Sequence, residues 1–370
     1  MSSAREIDLS VGDLAPGPLD AITDVDGVMV GHSTIVSGAG PLRVGRGPVR
    51  TGVTVVLPRR EIWTAPVFAA THRLNGNGEL TGVHWIRESG MLTTAIGLTN
   101  THSVGVVRDA LAAVHRRARA GEELWSLPVV GETWDGVLND IDGQHVGTEH
   151  VAAALGDASG GAVEQGAIGG GTGMICHDFK GGIGSASRRL GESDGGYTVG
   201  ALVQANHGRR ERLTINGVRV GRMIPAGEVP LATPPGPPPG AGSIIVVLAT
   251  DAPLLPHQCE RLAQRASIGI GRTGGVGEHD SGDLFLAFAT GNDGLDAKPD
   301  GSEAGREVPV RMLDDRHITP LFDAAAEATE AAIVNALLAA TTTTGRDDIV
   351  AHALPHARLL EVLGGARGRA

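Results

Sequence analysis

The amino-acid sequence predicts a layered α/β protein in which helices flank β-sheets, and three observations carry that prediction. Hydrophobic residues make up 41% of the 370 positions, but glycine and proline cut them into short runs. Apolar runs of about four to eight residues bounded by turn formers are the pattern of buried strands. Longer stretches with helical spacing interleave with these runs, yet without the strict strand-helix beat of a doubly wound fold. The 56 glycines, roughly twice an average share, are spread between the runs and mark tight turns in a globular core. A chain of this length forms one large domain or two intertwined ones.

In chain order, the predicted strands are Val28 to Val30, Val53 to Leu57, Thr93 to Leu98, Ile168 to Ile175, Thr198 to Ala205, Leu213 to Val220, Ser243 to Ala249 and Leu284 to Ala289. The predicted helices are Val106 to Ala120, Glu149 to Leu155, Pro253 to Ile268, the Ala-rich Pro320 to Ala340, and Ala357 to Leu363. The first of them ends in a basic cluster, His115, Arg116, Arg117 and Arg119, just before Gly121. Cations in a last helical turn offset the helix dipole, which accounts for the cluster without a ligand.

The formal charge of −11 repels phosphate backbones, and aromatic residues are only 3%, so a nucleic-acid partner is not expected. No run reaches the ~18 apolar residues of a membrane span, and Met1 to Glu6 lacks a signal-peptide core. Cys176 and Cys259 are too few for a disulfide framework or a cysteine-rich zinc site, and the cytoplasm is the expected compartment.

Several familiar signatures fail on context. Gly169-Gly170-Gly171-Thr172-Gly173-Met174 never completes G-x-G-x-x-G, and Gly269 to Gly274 completes it after a helical pattern instead of a strand. The lysines, Lys180 and Lys298, lie outside any Walker context. Gly191-Glu192-Ser193-Asp194-Gly195 fits G-x-S-x-G but reads as a hairpin turn, because a strand-like segment follows it. Among 14 histidines there is no H-E-x-x-H, and His145 and His150, five apart, do not share a helical face. No metal or organic cofactor is expected.

One junction stands out. Ile224 to Gly242 contains seven prolines and reads as an exposed, polyproline-like or mobile loop. It delivers Ser243 to the threshold of Ile244-Ile245-Val246-Val247-Leu248-Ala249, a run apolar on both faces and therefore inside a sheet. A serine hydroxyl needs an adjacent base to become a nucleophile. Cutting the Gly242–Ser243 bond would supply one, since an α-amino group with a pKa of ~7.7–8.0 is partly neutral near pH 7. Gly242 gives the backbone freedom that a strained N-to-O acyl shift requires.

The sequence resembles the self-processing serine aminopeptidases, a family that includes L-aminopeptidase/D-esterase-amidases and β-peptidyl aminopeptidases. Six blocks carry the resemblance: Gly242 to Leu254, Gly131-Glu132-Thr133-Trp134-Asp135-Gly136, Val203-Gln204-Ala205-Asn206, Ser281-Gly282-Asp283-Leu284-Phe285, Leu74 to Glu79, and Leu98 to His102. The resemblance implies one intertwined αββα sandwich over 1–370, like that of N-terminal-nucleophile hydrolases but differently connected. It implies autocleavage into 1–242 and 243–370, and a homo-oligomer of processed heterodimers. Ser243 is the implied nucleophile and Asn206 the oxyanion donor, with Ser281 and Asp283 orienting the nucleophile and its amine. Glu132 is the implied partner of a substrate ammonium, beside Trp134, where some members carry tyrosine. The expected substrate is a small peptide, or an amino-acid amide or ester, with a free amine. Ornithine acetyltransferases share the implied fold and self-cleavage, but their nucleophile is threonine. An uncleaved, non-catalytic binding protein is the alternative from another class.

Overall fold

The computed structural model describes residues 4–122, 125–232, 242–295 and 307–367. The strands are β1 (Met29–Ser37), β2 (Val49–Leu57), β3 (Val67–Gly76), β4 (Met91–Leu92), β5 (Ile96–Asn100), β6 (Val129–Thr133), β7 (Ile175–Cys176), β8 (Phe179–Lys180), β9 (Gly182–Arg189), β10 (Thr198–Asn206), β11 (Ser243–Thr250), β12 (Gly282–Ala289), β13 (Thr343–Thr344) and β14 (Val350–Ala351). The helices are α1 (Val83–Ser89), α2 (Val104–Ala118), α3 (Thr148–Asp157), α4 (Val220–Met223), α5 (Pro256–Arg272), α6 (Thr319–Ala339) and α7 (His356–Arg367).

A four-stranded sheet, β1-β2-β5-β6, faces a six-stranded sheet, β4-β3-β12-β11-β10-β9. Neighbours are antiparallel except for β5 with β6 and β11 with β12. Where the sheets meet, Gly131 of β6 lies against Ile245 of β11, and a Cβ there would stand 3.2 Å from the isoleucine carbons. Helices α2 and α3 cover the four-stranded sheet, while α5 and α6 cover the six-stranded one, giving four layers. The alternation along β11 follows from this arrangement: Ile244, Val246 and Leu248 enter the core under α5 and α6, and Ile245, Val247 and Ala249 enter the other core. With both faces covered, β11 reads as one unbroken apolar run.

The structure corrects two predicted strands. Residues 168–175 form a 3-10 turn at Gly169–Gly171 and enter a ladder only at Ile175, because the glycines have no side chains to build a strand face. Residues 213–220 fold back on themselves, with Ile215 and Val218 exchanging hydrogen bonds around Asn216 (φ 49°) and Gly217 (φ 75°). Asn-Gly favours this tight turn because both residues accept positive φ. The 191–195 segment is the predicted turn between β9 and β10, and the basic cluster closes α2. Of the predicted Pro-rich loop, 233–241 lies outside the described residues. No helix among the described residues is long and apolar enough to cross a membrane.

Candidate active site

The site forms where β10, β11 and β12 reach one edge of the six-stranded sheet. Antiparallel register pairs Asn206 directly with Ser243, so their side chains share a face. Both are buried, at 6% and 5% exposure. The Ser243 hydroxyl oxygen accepts the Gly282 backbone N–H at 3.1 Å. Gly242 is pressed against the Asn206 carbonyl, where a Cβ would lie 2.0 Å from the oxygen. Any side chain at 242 would therefore displace the backbone that carries Asn206.

The Asn206 amide is fixed at both ends. Its Oδ1 accepts the Ile175 N–H at 2.8 Å and its Nδ2 donates to the Trp134 carbonyl at 2.9 Å. An acceptor faced by a donor and a donor faced by an acceptor define the amide orientation, and one of the two Nδ2 protons remains uncommitted. Trp134 itself is half-buried with its ring folded over Gly136, and it meets the site through its carbonyl.

Ser281 donates to Asp283 Oδ1 at 2.6 Å. Burial pushes the Asp283 carboxyl up to about 6; hydrogen bonds from Ser281 and the Ile244 backbone pull the other way, and nearby Glu278 raises it further. This carboxyl thus lies one residue from the Ser243 nitrogen, across the parallel pairing of Ile244 with Asp283.

Glu132 comes from β6 of the opposite sheet and is 2% exposed. Its Oε1 accepts the Glu79 N–H at 2.9 Å and its Oε2 accepts the Thr101 hydroxyl. Burial raises its pKa against those two bonds. Gly78 is wedged between it and β12: a Cβ there would stand 3.0 Å from Glu132 Oε1 and 3.2 Å from Gly282 Cα. The site therefore draws on both sheets and brings together Ser243, Gly242, Asn206, Ser281, Asp283 and Glu132. Residue patterns alone did not reveal the Gly282 N–H, Thr101 or the Ile175 N–H; the Ser281-Gly282-Asp283 and Leu98 to His102 blocks were the available signals.

Beside Asn206 lies a buried trio, Cys176, His177 and His207, whose ligand-type atoms fall within 4.8 Å of one another. Donors on a tetrahedral zinc stand only ~3.5 Å apart. Burial pushes the Cys176 thiol up to about 12, so it keeps its proton, and the sulfur lies 3.9 Å from His207 Nδ1. His177 Nδ1 meets the Arg209 carbonyl at 3.2 Å, while the Nε2 atoms of both histidines are buried without a hydrogen-bond partner among the described residues.

A two-sheet, four-layer fold with a buried serine on a strand edge, an amide opposite it and flanking carboxyl groups suits a serine hydrolase. The chain belongs to peptidase family S58, whose model matches residues 20–351. It is 47% identical over 357 residues to a β-peptidyl aminopeptidase, BapA, of Sphingosinicella microcystinivorans, covering 94% of this chain and 88% of that protein. Its fold matches a Burkholderia sp. β-aminopeptidase with a TM-score of 0.92 and 53% identity, over 98% of this chain and 99% of the other. It also matches the L-aminopeptidase D-Ala-esterase/amidase of Ochrobactrum anthropi, described as a prototype serine aminopeptidase and a new variant of the Ntn hydrolase fold, with a TM-score of 0.89 and 42% identity over both whole chains. The protein is accordingly a serine peptidase of the aminopeptidase type, and hydrolysis takes precedence over the acetyltransferase reading.

Proposed function

We propose that the chain cuts itself between Gly242 and Ser243 and that the new N-terminal serine hydrolyses the bond after an unblocked N-terminal residue of small peptides, or of amino-acid amides and esters. The names of its relatives favour β-amino residues at that position. In processing, Ser243 Oγ attacks the Gly242 carbonyl carbon, the C–N bond breaks to leave an ester, and water releases Gly242 as a carboxylate. In turnover, the Ser243 α-amine takes the hydroxyl proton as Oγ attacks the substrate carbonyl, then passes it to the departing amine; water cleaves the acyl-enzyme. The free N–H of Asn206 faces the developing oxyanion, a contribution of ~2.7–4 kcal/mol. Asp283, with Ser281, orients the amine, Glu132 attracts the substrate ammonium, and Trp134 lines the approach. Neither metal nor organic cofactor enters these steps. A cytoplasmic homo-oligomer of processed heterodimers is the form we expect to work.

The observation that carries this reading is the convergence of Gly242, Ser243 and Asn206 on one point, with no room for a side chain at 242. Mass analysis of the purified protein tests it: the wild type should give two fragments, one beginning Ser-Ile-Ile-Val, and Ser243→Ala a single inactive chain. An intact, active wild type would overturn it and favour a different nucleophile.

A further inference from the structure

Lysine is scarce in this sequence, occurring only as Lys180 and Lys298. Lys180 is fully buried. Its Nζ lies within hydrogen-bonding distance of three backbone carbonyls, Gly171 at 3.3 Å, Met174 at 2.8 Å and Gly181 at 2.7 Å, enough to take all three protons of the ammonium form, while burial pulls its pKa down to about 7. Burying an ammonium costs several kcal/mol unless such partners are fixed in place. The same position filled by an apolar side chain would avoid that cost, so the site needs what the ammonium holds.

What it holds is the glycine run that fails as a nucleotide motif. Those glycines are packed where no side chain fits: a Cβ at Gly170 would meet Gln204 Oε1 at 2.2 Å, and one at Gly171 would meet the Ile183 nitrogen at 2.3 Å. The run ends in the Met174–Ile175 peptide. The carbonyl of that peptide is held jointly by Lys180 at 2.8 Å and by the Gly181 N–H at 2.9 Å, and its N–H is the one donated to Asn206 Oδ1. A peptide group is rigid and planar, so clamping its oxygen fixes the direction of its N–H on the opposite side.

We propose that Lys180 is a positioning residue for the oxyanion donor, acting through the Met174–Ile175 peptide to hold the Asn206 amide in its working orientation. This rests on the reading of Asn206 as that donor, and the experiment separates the two. Lys180→Met, alone and combined with Asn206→Ala, is assayed with a free-amine peptide, and rates are normalised to the fragment that begins at Ser243. Lys180→Met should lower kcat by ~10-fold or more with KM within about twofold, because a misaimed donor weakens the transition state selectively. In the Asn206→Ala background the same substitution should cost less than about twofold, there being no amide left to misplace. Equal losses in both backgrounds would overturn the proposal and leave Lys180 a purely structural residue. An Asn206→Ala enzyme with full kcat would instead remove the reading beneath it.

If Lys180→Met does not fold, the unsubstituted enzyme decides through isotope-labelled lysine, which yields one buried and one other ammonium resonance. A peptide aldehyde that forms a tetrahedral adduct on Ser243 should shift the buried resonance in the wild type and leave it unmoved in Asn206→Ala. A resonance indifferent to the adduct in the wild type would overturn the proposal.

Discussion

Strands β10, β11 and β12 are equally buried at their middles and at the edge that holds Ser243, yet the two places spend burial in opposite ways. At the middle, Val203, Val246 and Phe285 are register partners with no exposed surface. Their removal from water stabilises the fold. Two or three residues away, Ser243, Asn206 and Asp283 are almost as deeply enclosed, and burial works against the charged form of Asp283. One region gains stability from desolvation; the other holds polar groups in a state that water would relax.

Substitutions at each end should therefore separate stability from rate. Phe285→Ala should cost about 3–5 kcal/mol of stability through lost contacts and a cavity, visible as a lower Tm, with kcat per folded molecule little changed. Asn206→Ala should lower kcat by ~10²–10³ with a smaller change in KM. It also orphans the Ile175 N–H and the Trp134 carbonyl, a stability cost of about 1–3 kcal/mol. Phe285→Ala reducing kcat as strongly as Asn206→Ala would dissolve the distinction.

The smallest effect is in the pH profile. A carboxyl raised to about 6 binds a proton more readily folded than unfolded, where Asp titrates near ~3.9. Between these values folding takes up a proton, so this group makes the protein more stable as pH falls from about 6. Activity should move the other way, because protonated Asp283 no longer attracts the Ser243 amine. Asp283→Asn should remove both the acid limb of kcat and that stability gain. KM should also rise on acidification as Glu132 protonates above its ordinary range, and Glu132→Gln should flatten that rise.

Legibility in the sequence followed side-chain chemistry. β11 could be read because both its faces are apolar, and the alanine-rich α6 because it is enclosed nearly all round. β9, Gly-Ile-Gly-Ser-Ala-Ser-Arg-Arg, passed unseen for a packing reason: a Cβ at Gly184 would lie 1.9 Å from the Ala332 carbonyl of α6. A helix that close excludes the large residues on which a strand reading depends. β3 was missed because its far half, His72 to Gly76, lies toward solvent and alternates poorly. At the site, the sequence pointed to Ser243 through the Pro-rich junction and to Asn206, Asp283 and Glu132 through their blocks. Backbone groups such as the Gly282 and Ile175 N–H leave no residue signature, and the purpose of Lys180 depends on carbonyls that any sequence would supply.

The strand order has a consequence for the lifetime of the processed protein. Across the six-stranded sheet, β4 and β3 precede the Gly242–Ser243 junction in sequence, β12 and β11 follow it, and β10 and β9 precede it again. After a cut, the later fragment would be dovetailed between two parts of the earlier one, with a ladder on each side. The fragments could not drift apart by dilution. Full denaturation would be another matter, since regaining the sheet would require two separate chains to find each other and interleave. Processing would thereby turn a reversible folding equilibrium into a one-way history, and the enzyme's endurance would be set by how slowly it unfolds.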